Sequence, residues 1–292
     1  MDNYLNVLLR SIIEAITEFL PVSSTGHLFF FTSYFPFQEI GGDSEKFDDL
    51  FDIFIQTGAI LSVIVLYFQQ LLSKVSLSLA YLTKKTEDSS GYRFMTSIVL
   101  GSLPILCVGF LAKDFLDVIK SRPDLHMILG ASWLLGGVAI VYTERRFAAS
   151  HTPTLEQQTV EEEKSILVVP AKSALWVGLL QCIALVPGVS RSAATIITAR
   201  YLGFSKKDAA EYSFFLAIPV LIAAGLYKLY KYRDILFGEK LILLFLGFTL
   251  SFVFCLAIIK WFLAFVKKYS FSAFGYYRIL LGSTVLLVFF LR

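Results

Sequence analysis

Long apolar segments recur along this chain, and their length is the feature that most restricts its fold. A helix needs about 20 residues to cross the hydrocarbon core of a bilayer. Inside that core lipid cannot satisfy free backbone N–H and C=O groups, so spanning segments of this kind are helical. Charged residues make up only 17% of the chain, whereas soluble domains contain roughly 25%. The sequence therefore predicts an all-α integral membrane protein.

Six of the apolar segments predict full transmembrane helices. They are Leu50–Phe68, Phe94–Leu111, Leu125–Tyr142, Tyr212–Tyr230, Leu241–Ile259 and Ala273–Leu291. Two further apolar regions, Tyr4–Tyr34 and Ile166–Tyr201, are broken in the middle by turns that contain proline and serine. Because each half is too short to cross a bilayer, we interpret both regions as re-entrant helix-turn-helix hairpins.

The order of a hairpin followed by spans occurs twice, which predicts inverted-topology repeats in a single membrane domain, residues 1–292. The first repeat is about 1–142, a charged linker is about 143–164, and the second repeat is about 165–292. Such repeats bring the two turns together near the middle of the membrane. Lysine and arginine are more frequent in the loops on the side of this linker, so we expect that side to be cytoplasmic and both termini to be outside.

Composition argues against several other classes of protein. A net charge of +3 is too small to indicate a nucleic-acid partner. The three cysteines all lie within apolar segments, which indicates packing residues and not a disulfide framework. No Cys/His cluster has the spacing of a structural zinc site, and the first apolar stretch lacks the cleavage site of a signal peptide.

Two carboxylates precede the first turn, and inside a membrane such groups are usually functional. Glu14 and Glu18 are four residues apart, so both project from one face of a helix. Their mutual repulsion favours a general acid or base, and their oxygens could equally hold a divalent cation. The alternative is that Glu14 forms a structural ion pair with Arg10.

The first turn, Pro21–His27, carries hydroxyl groups and an imidazole. Ser23, Ser24, Thr25 and Gly26 lie where one helix ends and another begins, and free N–H groups at a helix start can bind phosphate. The alternative is ordinary N-capping. His27 predicts a proton shuttle or a nucleophile, with a hydrogen-bonded packing role as its alternative.

The second turn, Pro187–Ser192, carries a guanidinium that can bind phosphate through two N–H groups. Arg191 is flanked by Ser190 and Ser192, and Thr195 follows one turn later. The alternative for Arg191 is an ion pair with Glu14 or Glu18, which also requires the turns to meet. Two weaker candidates are Gln181, to orient a carboxylate, and Arg278, either to position an anionic headgroup or to snorkel to the interface.

These segments resemble the two signature motifs of the undecaprenyl-diphosphate phosphatases, the bacitracin-resistance family. The first motif is Glu14–His27 and the second is Pro187–Thr195. Ala15 and Ala193 depart mildly from the pattern, and neither removes a polar group. The resemblance continues outside the motifs and covers nearly the whole chain, through Phe54–Gly58, Phe214–Pro219 and Tyr277–Ile279.

The resemblance implies hydrolysis of undecaprenyl diphosphate to undecaprenyl phosphate and phosphate, which recycles the lipid carrier of peptidoglycan synthesis and confers bacitracin resistance. It also implies a divalent cation, Mg²⁺ or Ca²⁺, and a site that opens to the outer face of the bacterial plasma membrane. Carried over to this chain, Glu14 and Glu18 are the acidic pair, Ser24 or His27 is the nucleophile, and Arg191 binds phosphate.

A flippase for the polyprenyl lipid carrier is the alternative function, because broken helices in inverted repeats are equally typical of transporters. It would use the same headgroup site, and only release of phosphate distinguishes it from the enzyme. The sequence leaves open whether water attacks directly, which chain length and cation are preferred, and whether the protein forms a homodimer.

Overall fold

The computed structural model describes residues 2–38, 43–120, 122, 124–150 and 169–291. Over these ranges the chain is helical, and two short 3-10 turns, Cys182–Leu185 and Arg233–Ile235, follow helices. The α-helices in chain order are α1 Asn3–Thr17, α2 Ser24–Tyr34, α3 Ser44–Leu66, α4 Phe68–Leu82, α5 Ser90–Leu111, α6 Lys113–Lys120, α7 Leu125–Ser150, α8 Ala171–Gln181, α9 Arg191–Tyr201, α10 Lys206–Lys231, α11 Glu239–Lys268 and α12 Ser272–Phe290.

The six predicted spans are confirmed within the part of the chain that the structure describes. Helices α3, α5, α7, α10, α11 and α12 are long and apolar enough to cross a membrane. Most of them are longer than the apolar segments that predict them, because their polar first and last turns continue the helix into the interface. Helix α3 instead ends early, at Leu66, since Tyr67 has a non-helical ψ of 15° and α4 begins after it.

The first part of the predicted linker is helical. Helix α7 continues through Thr143 to Ser150. Glu144 accounts for this extension, because its carboxylate accepts hydrogen bonds from Ser270 Oγ at 2.7 Å and from Arg200 Nε at 3.3 Å. The rest of the linker, residues 151–164, lies outside the described residues.

Two helices were not predicted from the sequence. Helix α4 has a membrane-like outer face, with Leu72, Leu79 and Leu82 exposed. Its other face carries Lys74 and Ser78. These polar residues interrupt the apolar run, so the sequence does not indicate a span there. Helix α6 has only eight residues.

The two broken regions are helix-turn-helix hairpins, α1–α2 and α8–α9, as predicted. Their helices have 15, 11, 11 and 11 residues, whereas a span needs about 20. These lengths are consistent with re-entrant hairpins. The two turns lie against each other, because Ser192 Oγ in the second hairpin donates to the Leu20 carbonyl in the first at 2.8 Å.

The packing partners of the helices repeat between the two halves of the chain. The first hairpin packs through α1 on α11 of the second half, and the second hairpin packs through α8 on α5 of the first half. Helix α3 packs on α10, and α7 packs on α12. Each pairing therefore joins one half of the chain to the other, as inverted repeats that share one core predict.

Glycines permit these helices to approach closely. A Cβ atom on Gly58 of α3 would lie 2.2 Å from the Phe248 carbonyl oxygen of α11. Between α7 and α12, a Cβ on Gly137 would lie 2.6 Å from the Gly275 oxygen, and one on Gly282 would lie 2.6 Å from the Gly130 oxygen. Small residues at such crossings are how membrane helices gain packing contacts without a hydrophobic driving force.

Candidate active site

The two turns share an unusual backbone conformation. Ser23 has φ 78° and Ser190 has φ 76°, a region that residues other than glycine rarely adopt. Each serine precedes a helix and caps it: Ser23 Oγ accepts from the Gly26 N–H at 3.3 Å, and Ser190 Oγ from the Ala193 N–H at 3.1 Å. The capping alternative thus holds for both. Such backbone strain costs about 1–3 kcal/mol, so the surrounding structure must hold both turns in place.

The correspondence between the turns extends to neighbouring positions. The same difference in residue number relates Ser23 to Ser190 and Ser24 to Arg191. Ser24 is the first residue of α2, and Arg191 is the first residue of α9. Two helix N-termini, which carry partial positive charge, therefore begin at equivalent places in the two halves. One start carries a hydroxyl group and the other a guanidinium.

Glu18 lies between these two helix starts. Ser24 Oγ donates a short hydrogen bond to Glu18 Oε2, and Arg191 Nη2 donates to Glu18 Oε1 at 2.7 Å. All three side chains are almost fully buried. The predicted meeting of Glu18 and Arg191 is therefore present, and so is the ion pair that was its alternative. Removing either partner would leave an uncompensated buried charge.

Helix α10 orients the guanidinium. Arg191 Nη1 donates to the Ser213 carbonyl at 2.7 Å, and Thr195 Oγ1 donates to Ser213 Oγ at 2.7 Å. Arg191 Nε is buried and has no hydrogen-bond partner among the described residues. A buried donor without a partner is costly, so this N–H is the donor of Arg191 that the protein itself leaves unsatisfied.

These groups surround a cavity of about 100 Å³, which we call the turn cavity. Its polar lining comes mainly from the predicted site, and its remaining wall is the chain segment before the second turn, residues 184–188, together with Leu221. The polar side chains in the lining are those of Glu18, Ser23, Ser24, Thr25, Gln56, Ser190 and Arg191. Its size and its donors suit a phosphate group.

A larger cavity of about 670 Å³, the vestibule, adjoins the turn cavity and shares Thr25 and Gln56 with it. It lies between α2 and the first half of α3. Two acidic side chains in its wall form ion pairs with the buried Arg10. Its guanidinium is 2.6 Å from the Asp48 carboxylate and 3.0 Å from the Asp52 carboxylate. The vestibule thus borders the turn cavity at Thr25 and Gln56.

Glu14 is fully buried, and neither carboxylate oxygen has a hydrogen-bond partner among the described residues. The alternative pairing with Arg10 is wrong, because that guanidinium binds Asp48, Asp52 and Asn6. Glu14 does not line the turn cavity and lies one helical turn behind Glu18. Gln181 occupies the equivalent position in the second half, where its Nε2 donates to the Gly101 carbonyl at 3.1 Å. It has no hydrogen bond to a carboxylate among the described residues.

Glu14 and Glu18, one helical turn apart, are the carboxylates that the site could offer to a divalent cation. Among the described residues, no group of three or more His, Cys, Asp or Glu side chains is placed to hold a metal ion. Mg²⁺ commonly uses one or two carboxylates together with phosphate oxygens and water. Glu14, with its two unpartnered oxygens, and Glu18 are a donor set of that kind.

His27 lies outside the turn cavity. Its Nδ1 is 2.7 Å from the Ser23 carbonyl oxygen, and its Nε2 is 2.8 Å from Tyr277 Oη. The ring stacks on Tyr277 and also contacts Trp133. Both ring nitrogens are engaged with the protein, which is the arrangement expected of the alternative role as a hydrogen-bonded packing residue.

Arg278 neither lines the turn cavity nor reaches the interface. Its position therefore fits neither of the two predicted roles, which were to position a headgroup and to snorkel. Its guanidinium is fully buried, and Gly136 makes room for it, since a Cβ there would lie 2.1 Å from Nη2. Its N–H groups donate to five backbone carbonyls at 2.8–3.4 Å, which belong to Pro21, Ser132, Trp133, Gly188 and Val189. Arg278 thus binds both turns from behind, and we call this contact the carbonyl clamp.

Three other predicted binding residues also support the turns from outside the cavity. Ser192 links the two hairpins, Thr195 bonds Ser213, and Gly26 faces Trp133, whose ring would lie 2.8 Å from a Cβ at that position. The sequence interpretation missed Gln56 and Ser213. The available signal was their position, because polar side chains in apolar spans are usually functional.

Comparison with known proteins agrees with this geometry. The family model of the bacitracin resistance protein BacA matches residues 7–284. A protein of Leptospira interrogans serovar Lai named undecaprenyl-diphosphatase is 55% identical over 288 residues, covering 99% of each chain. Proteins with the same name from Acidovorax ebreus and Bdellovibrio bacteriovorus are 37% and 35% identical, and the alignments cover 97% and 98% of this chain and 93% and 96% of theirs.

We predict that Arg278→Lys lowers the thermal unfolding midpoint of the detergent-solubilised protein by several degrees. A lysine has three donors on one nitrogen and cannot reach carbonyls of both turns. Each buried carbonyl left without a donor costs about 1–3 kcal/mol. Arg145→Lys is the matched control, because Arg145 is exposed and bonds Tyr276, two residues from Arg278. Equal midpoints for the two variants would contradict the clamp.

Proposed function

The chain belongs to the family of the bacitracin resistance protein BacA, and we propose that it hydrolyses undecaprenyl diphosphate to undecaprenyl phosphate and phosphate in the turn cavity. One observation carries the assignment of the site. A hydroxyl, a carboxylate and a guanidinium from opposite halves of the chain are hydrogen-bonded to one another in the wall of a phosphate-sized cavity. Phosphoryl transfer requires mainly positioning and compensation of charge, and this arrangement provides both.

Arg191 and the two helix starts bind the terminal phosphate in this proposal. The unpartnered Nε–H of Arg191 donates to a phosphate oxygen, while its other nitrogens stay bonded to Glu18 and Ser213. The guanidinium is therefore held in place before the substrate arrives. The positive ends of α2 and α9 add to the stabilisation of the negative charge.

Ser24 is the nucleophile that the geometry favours. Its Oγ attacks the terminal phosphorus, the bond from that phosphorus to the bridging oxygen breaks, and undecaprenyl phosphate leaves. Glu18 Oε2, which already accepts the Ser24 hydrogen bond, takes the proton. A water molecule then attacks the phosphoserine, Glu18 returns the proton to Ser24 Oγ, and inorganic phosphate is released.

Phosphoryl transfer requires little basicity of Glu18. Its transition state is loose, so the bond to the leaving group is largely broken before the nucleophile needs to lose its proton. The ion pair with Arg191 fixes the orientation of Glu18 towards Ser24. Glu18 thus acts in two ways, by positioning the hydroxyl group and by accepting its proton.

A divalent cation, Mg²⁺ or Ca²⁺, completes the proposal. Glu14 and Glu18 would hold it, and when bound it compensates the negative charge of the diphosphate. The unpartnered oxygens of Glu14 support this assignment. Glu14 lies behind the cavity wall and has no direct role towards the reacting phosphorus.

The orientation of the protein is also part of the proposal. The vestibule opens to the outer side of the bacterial plasma membrane in this proposal, and the distribution of lysine and arginine in the loops supports that orientation. A polyprenyl tail remains in the lipid while its headgroup enters the turn cavity through the vestibule. The product is then available for another round of peptidoglycan synthesis.

We expect Arg191→Lys to reduce phosphate release from undecaprenyl diphosphate by about 100-fold or more, because lysine cannot bind Glu18 and phosphate at the same time. The assay uses purified protein in detergent, where no second leaflet exists. Arg233→Lys, at an exposed site, should retain normal activity. Lipid binding without phosphate release by the unaltered protein would favour the flippase.

A second experiment identifies the nucleophile. With Ser24 as nucleophile, Ser24→Ala should abolish both phosphate release and the phosphoprotein trapped by acid quenching. His27→Ala should still form the phosphoprotein, since its ring lies outside the turn cavity. A phosphoprotein in the Ser24→Ala variant would exclude Ser24. If neither the parent nor the variants form one, water attacks directly.

Removal of the cation with a chelator should stop the reaction, and Mg²⁺ or Ca²⁺ should restore it. Glu14→Gln should raise the cation concentration for half-maximal activity by about tenfold, because one carboxylate of the pair loses its charge. Glu239→Gln, at an exposed position in the first turn of α11, is the control. Full activity in the presence of chelator would remove the cation from the proposal.

A further inference from the structure

A second polar cavity, of about 470 Å³, lies far from the catalytic groups. Helix α3 separates it from the vestibule, which lies beside the N-terminal half of α3, whereas this cavity lies beyond Leu66 at the other end. Helix α4, the start of α5 and the start of α10 form its wall. We call it the α4 pocket; it shares no lining residue with the turn cavity or the vestibule.

Lys74 is the unusual residue of the α4 pocket. It is 7% exposed, yet it makes no hydrogen bond or ion pair with any of the described residues. The charge of Lys74 acts on the Asp88 carboxylate across the pocket. The other lysine in the wall, Lys207, is 4.0 Å from the Glu211 carboxylate. Neither ammonium group donates a hydrogen bond to a carboxylate among the described residues, so both can still donate to an anion.

The acidic residues of the pocket already have donors from the protein. Asp88 accepts the Ser90 N–H at 2.8 Å, and this bond, with a smaller effect of the Lys74 charge, holds the pKa of the Asp88 carboxyl below its ordinary value. Glu211 accepts the hydroxyl of Tyr67 at 3.1 Å. Their negative charges repel a diphosphate more strongly than a group with one negative charge. The pocket therefore suits a singly charged anion better than a diphosphate.

The surroundings of the pocket indicate where such a group comes from. The face of α4 that points away from the protein is apolar and exposed, through Phe68, Leu72, Leu79 and Leu82. In a membrane protein an amphipathic helix of this kind lies at the level of the lipid headgroups. A lipid beside α4 would have its acyl chains along this face and its phosphate at the height of Lys74.

We propose that Lys74 and Lys207 bind the phosphate group of a membrane phospholipid in the α4 pocket. Basic pockets between membrane helices are known to bind lipid headgroups in this way. The phosphodiester compensates the charge of Lys74 and connects α4 to α10. The site is separate from catalysis, and its ligand is a resident lipid of the membrane and not a substrate.

The test measures lipid binding to the purified full-length protein. The protein in detergent is titrated with phosphatidylethanolamine, and bound lipid is counted by native mass spectrometry while unfolding midpoints are recorded. One lipid molecule should bind and raise the midpoint, whereas diacylglycerol with the same acyl chains should do neither. Lys74→Gln should weaken binding about tenfold, and Lys74→Arg should restore most of it.

Two further variants keep the test decisive. Lys207→Gln alters a more exposed side chain, so it reports on the pocket even if Lys74→Gln fails to fold. Lys46→Gln is the control, because Lys46 is an exposed lysine paired with Asp43 at the other end of α3. Unchanged binding in the pocket variants, or equal binding of diacylglycerol, would overturn the proposal. Displacement of the lipid by millimolar inorganic phosphate would show a free-anion site instead.

Discussion

The hydrogen bonds between Arg278 and the two turns are the contact on which the rest of this structure depends. Irregular backbone inside a membrane needs donors for its carbonyl oxygens, since lipid offers none. One guanidinium supplies them to Pro21, Gly188 and Val189. The charge is balanced by carbonyl dipoles and not by a carboxylate. Both strained serines, and the Ser24 and Arg191 side chains that follow them, remain in place because Arg278 holds the two turns.

Similar halves of the chain produce a site that is chemically asymmetric. Equivalent positions at the starts of α2 and α9 carry Ser24 in one half and Arg191 in the other. Only the first half contributes Glu18, so one carboxylate contacts a hydroxyl from its own hairpin and a guanidinium from the opposite one. Repetition of the fold thus accounts for the meeting of the turns, and divergence at a few positions accounts for the chemistry.

Much of the architecture was predictable, because apolar length and broken apolar runs are visible in the sequence. The proximity of Glu18 and Arg191 followed from the topology of two inverted hairpins. The function of Arg278 did not, since nothing in the residues around it shows which carbonyl oxygens it will contact. The same holds for His27. It is close to Ser24 in the sequence, but the orientation of α2 directs its ring towards Tyr277. Orientation about a helix axis depends on tertiary packing.

The carbonyl clamp has a consequence for how substrate reaches the catalytic groups. A rocking motion of one repeat against the other would separate the turns and break bonds from a charged donor, each worth about 1.5–3 kcal/mol. The close glycine contacts between α7 and α12 would have to open as well. Access by movement of whole halves is therefore expensive in this chain. For the proposed substrate, lateral entry, with the prenyl chain left among the lipids and only the headgroup moving inward, would keep the two turns in contact throughout.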